Sequence, residues 1–157
     1  RSQEITGAQL DGAYYFRLRL PKMRVGRTEP LLVSGANGAG EIIYIRYADS
    51  GHIQIGYDKW NYGGPISVPI PCGDNDLLEL EISLGSLYKS DIAASDLLRR
   101  MILVRVNGHL VMRHLAESYP TKDEEIKVGL NSIGASTCAD RFTGEIVRVE
   151  RIGLFRL

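Results

Sequence analysis

Met101-Ile102-Leu103-Val104-Arg105-Val106-Asn107-Gly108-His109-Leu110-Val111-Met112-Arg113-His114-Leu115 places an Asn-Gly pair between two apolar runs. Asn-Gly is the pair that a two-residue type I′ turn demands, because both turn positions need positive φ. The stretch therefore predicts a β-hairpin, with strands over 101–106 and 109–115.

The same period of two recurs on both sides of it. In Tyr14-Tyr15-Phe16-Arg17-Leu18-Arg19-Leu20, Tyr14, Phe16, Leu18 and Leu20 share one face, and Tyr15, Arg17 and Arg19 the other. That is the pattern of a half-buried strand, and Pro21 ends it because proline cannot donate to a ladder. Leu78, Leu80, Ile82 and Leu84 alternate with Glu79, Glu81 and Ser83, the acids and the serine being read as outward. Glu41–Ala48 and His52–Asp58, joined by Asp49-Ser50-Gly51, read as a second hairpin. Shorter strands are predicted over Pro30–Ser34, Ile66–Ile70, Ile126–Ile133 and within Arg141–Leu157, with a six-residue loop Gly35–Gly40. Helix is confined to one or two turns within Ser90–Arg100. About 10–13 short strands with minimal helix imply an all-β, two-sheet antiparallel sandwich. The core is expected to hold Phe16, Leu18, Ile53, Ile55, Leu80, Ile82, Val104, Val106, Val128 and Phe142.

Composition agrees. The chain has 157 residues, 44% of them hydrophobic and 24% charged, as in ordinary globular domains. At about 150 residues per domain, residues 1–157 form one domain, large enough to bury roughly 68–70% of its unfolded surface without a metal or disulfide. Nineteen Lys and Arg balance nineteen Asp and Glu. This argues against nucleic acid as a partner, which needs a basic surplus on one face. No apolar run is long enough for a membrane span. The chain starts at Arg1 without a signal-peptide pattern, which reads as a mature chain or a domain excised from a longer protein. Cys72 and Cys138 are too few for a structural zinc site. They are either two separate thiols or one bridge.

Several stretches resemble the laminin-G-like branch of the concanavalin A-like lectin–glucanase fold. Leu77–Ile82 is similar to its long central strand, and Val104–Val111 to its Asn-Gly hairpin. Ile126-Lys127-Val128-Gly129-Leu130 is similar to its next strand, and Phe142-Thr143-Gly144-Glu145-Ile146 to its closing Phe-x-Gly-x-Ile signature. The resemblance covers roughly residues 75–153 and implies a jelly roll. It also implies a cysteine just before the Phe-x-Gly, which Cys138 matches, and a second just after the glycine, where Glu145 stands instead. The family's usual bridge is thus absent, and any bridge here must use Cys72.

The concanavalin A-like fold also carries glycoside hydrolases, so paired carboxylates matter. Glu79 and Glu81 share a strand face, roughly 6.6–7 Å apart between Cα atoms. A retaining glycosidase needs carboxyls about 5–5.5 Å apart. The related glucanases carry a third acid, but the run here stops at Ser83. No nucleophile-elbow, zinc-helix, P-loop or dinucleotide motif occurs, and His52, His109 and His114 read as solvated strand residues. Calcium is the metal that the resemblance allows, with Asn37, Glu41, Asn131 and Asp140 as oxygen donors. No cofactor is otherwise expected.

Asp58-Lys59-Trp60-Asn61-Tyr62-Gly63-Gly64 holds the chain's one Trp in a glycine-rich loop beside short polar side chains. An aromatic plate with fixed polar groups is what saccharide recognition uses. The competing reading is a Trp folded back as a plug. Arg46 and Gln54, on the polar face of the hairpin with Tyr44, His52 and Asp58, extend the candidate site. Asp58, Trp60, Asn61, Tyr62, Arg46 and Gln54 are thus the expected ligand contacts. The expected function is a non-catalytic binding module, lectin-like, for carbohydrate or a cell-surface protein partner, in an extracellular or periplasmic setting. The alternatives are a structural accessory domain of a larger surface protein, or a glycan hydrolase using Glu79 and Glu81. Replacing Ile82 by Ala should destabilise the fold by about 2–5 kcal/mol in chemical denaturation, and a loss under about 0.5 kcal/mol would mean that this strand's buried face is assigned wrongly.

Overall fold

A computed structural model describes residues 11–22, 24–89 and 96–157. It contains ten strands: β1 Ala13–Arg19, β2 Thr28–Ala36, β3 Ala39–Asp49, β4 His52–Lys59, β5 Ile70–Pro71, β6 Leu77–Ser83, β7 Met101–Val106, β8 His109–Leu115, β9 Ile126–Val128 and β10 Glu145–Gly153. Among the described residues, helix is limited to α1, Asp96–Arg99, and the 3-10 turns Gly85–Leu87 and Asp123–Glu125. Residues 90–95 of the predicted helical stretch lie outside the described residues. The strands form two antiparallel five-stranded sheets, each within its own compact unit.

The first unit comprises 11–19, 77–118 and 145–157 among the described residues. Its sheet runs β10-β1-β6-β7-β8. Tyr14 lies opposite Ile82, Phe16 opposite Leu80 and Leu18 opposite Leu78, so the apolar members of each alternating set fall on one side. Phe16, Leu18, Leu78, Leu80, Ile82, Val104 and Val106 are all buried there. The β7–β8 turn is as expected, with φ of 47° at Asn107 and 84° at Gly108.

One end of this sheet is covered on its other side too. Tyr88, Leu98, Met101, Leu103, Phe155 and Ala13 form a second small core. For that reason Met101 to Val104 are buried without alternation. Ser83, expected outward, is fully buried and shares a 2.7 Å hydrogen bond with the Tyr88 hydroxyl.

The second unit comprises 20–76 and 119–144. Its sheet runs β5-β4-β3-β2-β9. The six-residue loop expected at Gly35–Gly40 is instead a tight turn at Asn37-Gly38, with Ala36 opposite Ala39 and Gly35 opposite Gly40. The strand expected over Ile66–Ile70 is reduced to Ile70–Pro71, because three prolines leave few donors for a ladder. Ser67 still ties this segment to β4. Its N–H donates to Ile55 O at 2.8 Å and its Oγ accepts the Ile55 N–H at 2.9 Å. The strand expected over Ile126–Ile133 stops at Val128. Val128 is only half-buried, because β9 is a three-residue edge strand paired with β2 alone. Ile53, Ile55 and Phe142 are buried as expected. Cys72 and Cys138 are free thiols, and burial pushes each up to about 12.

A charged group lies at the centre of this unit. Glu29 is fully buried. Its Oε1 accepts the Tyr47 hydroxyl at 2.5 Å and the Thr143 N–H at 3.2 Å. Its Oε2 accepts Arg27 Nε at 3.0 Å and the Thr143 hydroxyl at 2.7 Å. Burial and the adjoining carboxylate hold the Tyr47 phenol well above its usual range. A buried carboxylate with four donors is stable, but one deprived of a donor is not. Tyr47→Phe should therefore destabilise the protein by about 1–3 kcal/mol. Arg27→Ala, which leaves the buried charge without its cation, should destabilise it by about 3–5 kcal/mol. Urea unfolding measures both, and losses within about 0.5 kcal/mol would show that the network contributes nothing.

Candidate functional site

The β3–β4 register sorts the hairpin into two faces. Ile43 lies opposite Tyr57, Ile45 opposite Ile55 and Tyr47 opposite Ile53, and all six are buried. The other face carries Ile42 opposite Asp58, Tyr44 opposite Gly56 and Arg46 opposite Gln54. Tyr44 lies across Gly56 so closely that a Cβ there would run into the phenol ring. Only glycine admits this approach. Burial, then the nearby Asp58 charge, raises the Tyr44 phenol above its ordinary range.

β4 ends in a tight turn. Lys59 N–H donates to Gly63 O at 3.0 Å, and Lys59 O accepts the N–H groups of Tyr62 and Gly63 at 2.8 and 3.0 Å. Asn61 occupies a positive φ of 72°, which Asn tolerates better than most residues. Trp60 is fixed through its backbone. Its N–H donates to Gly40 O at 2.9 Å and its C=O accepts the Tyr119 hydroxyl at 3.0 Å. The half-buried indole packs against Val33, Ile42, Ile133 and Ala135, with Tyr44 and Cys138 beside the same cluster.

The opposing wall is the loop 131–138, and a side chain organises it. The Asn131 amide donates to Ala135 O at 2.7 Å and Cys138 O at 3.1 Å, and its Oδ1 accepts the Ala135 N–H at 3.0 Å. The Thr137 hydroxyl donates to Asp58 Oδ2, and Thr137 O accepts the Thr28 hydroxyl at 2.6 Å. Ile133 seats directly over Gly40, where a Cβ would lie 2.9 Å from Ile133 Cγ2. Between the two walls is a cavity of about 320 Å³, lined by Asp58, Trp60, Asn61, Gly134, Ala135 and Ser136. That volume falls at the small end of ligand sites, roughly 300–1,000 Å³.

Three of the expected contacts, Asp58, Trp60 and Asn61, come together in this cavity. Tyr62 is 74% exposed and does not line it; the Lys59 ammonium lies 4.9 Å from its ring centroid and 4.8 Å from that of Tyr119. Arg46 and Gln54 lie four residues back along their strands, about 13 Å from the Asp58 rung. They are bonded to each other at 2.9 Å. Gly134, Ala135, Ser136 and Thr137 were not expected at the site. They follow the strand expected over Ile126–Ile133, in a stretch whose turn-forming Asn131, Gly134 and Ser136 mark a loop but not its destination.

The other candidates are dispersed. In the first unit, Glu79 accepts the Tyr15 hydroxyl at 2.5 Å, and burial, then this bond, pushes that phenol up to about 12. Glu81 pairs with Arg105 at 2.8 Å. The two carboxylates are thus each held by a different neighbour. Of the oxygen donors considered for calcium, Asn131 is engaged as described, and Glu41 is buried and accepts the Tyr57 hydroxyl at 2.7 Å. Among the described residues no group of three or more His, Cys, Asp or Glu side chains is gathered as a metal site.

No protein-family model matches the chain, and no curated protein sequence matches it either. Solved structures do. The CBM40 of the Ruminococcus gnavus IT-sialidase bound to α2,3-sialyllactose is 16% identical, with a TM-score of 0.55, over 94% of this chain and 79% of that one. The same module bound to α2,6-sialyllactose gives the same identity and TM-score, over 94% and 80%. A variant of human galectin-16 is 15% identical with a TM-score of 0.41, over 73% of this chain and 76% of that one. At these identities the likeness concerns the fold, and the fold is an all-β, two-sheet antiparallel jelly-roll sandwich.

Proposed function

We propose that the protein is a non-catalytic carbohydrate-binding module whose site is the cavity between the Lys59–Gly63 turn and the loop 131–138. The observation that carries this reading is the convergence in that cavity of a half-buried Trp60 with Asp58, Asn61 and Ser136. The indole offers an apolar plate to the C–H face of a pyranose, and the polar groups offer partners to its hydroxyls. The Asp58 carboxylate is held in place by Thr137, so it is oriented before a ligand arrives. Preorganisation of this kind lowers the ordering cost of binding. The Ruminococcus gnavus module of similar fold, solved with sialyllactose bound, supports a saccharide as the class of ligand.

Trp60 is the only tryptophan, so intrinsic fluorescence reports on this cavity alone. Titration with the cognate saccharide should shift or quench the emission. Ser136 is exposed at the cavity wall, and Ser136→Tyr should abolish the response while changing stability by no more than about 0.5 kcal/mol. Trp60→Ala should lose binding and also destabilise the protein by about 1–3 kcal/mol, because part of the indole packs on the Val33–Ile42 cluster. A saccharide that binds the Ser136→Tyr variant as tightly as the parent would place the site elsewhere. Failure to bind any member of a broad glycan panel would overturn the carbohydrate reading.

A further inference from the structure

The half-buried arginines of this protein are nearly all held by an acceptor that bears a charge or belongs to the backbone. Arg27 faces Glu29, Arg105 faces Glu81 and Arg151 faces Asp11. Arg99 donates to Tyr88 O and Lys89 O. Arg46 differs. Among the described residues its only hydrogen bond runs from Nη1 to Gln54 Oε1, at 2.9 Å. Gln54 is itself fixed, its Nε2 donating to Ser67 O at 2.9 Å. Ser67 is in turn bonded to both the N–H and the C=O of Ile55. A rigid relay of neutral groups thus fixes the guanidinium and orients it, while Nε and Nη2 have no protein acceptor among the described residues. A guanidinium donates in a planar fork that matches a carboxylate two bonds at a time.

Its position links it to the cavity. Arg46 lies on the same face of the β3–β4 hairpin as Asp58, with Tyr44 between them along β3. The Tyr44 phenol feels both charges, Asp58 raising it and Arg46 lowering it.

We propose that Arg46, positioned by Gln54, is an anion subsite for the carboxylate of an acidic sugar residue, so that the module's ligand is a carboxylated oligosaccharide rather than a neutral one. The inference rests on the carbohydrate reading above. It adds a second contact about 13 Å from the Asp58 rung of the sheet, so the ligand spans more than one sugar unit. The neutral Gln54 partner fits the role. A resident carboxylate at that position would neutralise Arg46 and compete with the ligand. Binding should also weaken with added salt, as expected for a partly exposed charge pair.

The test compares trigalacturonate with its methyl ester, and 3′-sialyllactose with lactose, by titration against Trp60 fluorescence and by calorimetry. The expected result is at least about a tenfold preference for the carboxylated member of one pair. Arg46→Gln should abolish that preference, the acid and its neutral counterpart then binding alike. Arg46→Lys should keep only part of it, because an ammonium lacks the fork. If Arg46→Gln fails to fold, the comparison of acid with ester on the parent protein still decides. Equal binding of neutral and carboxylated saccharides by the parent protein overturns the anion subsite and leaves the carbohydrate reading standing. So does a carboxylate preference that survives in Arg46→Gln. If none of the four probes binds while neutral glycans elsewhere in the panel do, the anion subsite again falls alone. If no saccharide binds at all, both readings fall together.

Discussion

The second unit is organised around a carboxylate that water never reaches. Glu29 draws Arg27 from the residue just ahead of its own strand, Tyr47 from the neighbouring strand and Thr143 from a segment 114 residues away. Hydrophobic burial has no direction and would tolerate β2 sliding along β3. A carboxylate with four defined donors does not, because a slip of one residue would leave a buried charge without partners. The constraint matters because β2 is irregular here. The Pro30–Leu32 register shift removes the regular ladder at the place where alignment is needed. The Glu29 network restores it with side chains. The neighbouring Phe142 docks through its N–H on Gly129 O at 2.9 Å.

From that alignment the cavity follows. Thr143 fixes the end of the segment whose beginning, 131–138, forms one wall of the site. The aligned β3–β4 hairpin supplies the other wall through Asp58 and the turn that carries Trp60. Neither wall is a free loop. One is pinned by three hydrogen bonds of the Asn131 amide, the other by the backbone contacts of Trp60 with Gly40 and Tyr119. The Thr137 hydroxyl joins the two through Asp58. Loops on a rigid scaffold are the usual seat of binding, and here the loops share the rigidity of the sheet.

Much of the fold was legible in the sequence because its signals are local. The alternation in β1, β4 and β6 and the Asn107-Gly108 turn need nothing beyond their own neighbours in the chain. What misled were tertiary events. Ser83 reads as outward because its neighbours Glu79 and Glu81 are, yet Tyr88 and Phe155 cover its end of the sheet. Gly35–Gly40 reads as a loop by composition, but Gly35 and Gly40 serve close approach within a hairpin and Gly38 the positive φ of its turn. Ile126–Ile133 reads as one strand, whereas Asn131 turns the chain with its side-chain amide. The site divides in the same way. Asp58, Trp60 and Asn61 lie within four residues of one another and could be found from chemistry alone. The wall opposite them comes from more than 70 residues later, and no pattern in Ser132–Ser136 announces its destination.

The pairing of β1 with β10 has a consequence for how the protein is made. Ala13 pairs with Gly153 and Phe16 with Val149, so β1 is completed by a strand synthesised well over a hundred residues after it. At roughly 5–20 residues per second, a ribosome needs about seven to thirty seconds to cover that separation. During that interval β1 waits with an open flank, while the β2–β3–β4 meander, built from neighbouring segments, can close as soon as it emerges. Biosynthesis thus sets an order on the two sheets. The one that carries the cavity can begin assembling during translation, and the other must wait for β10, a delay during which its exposed edge is a natural client for a chaperone.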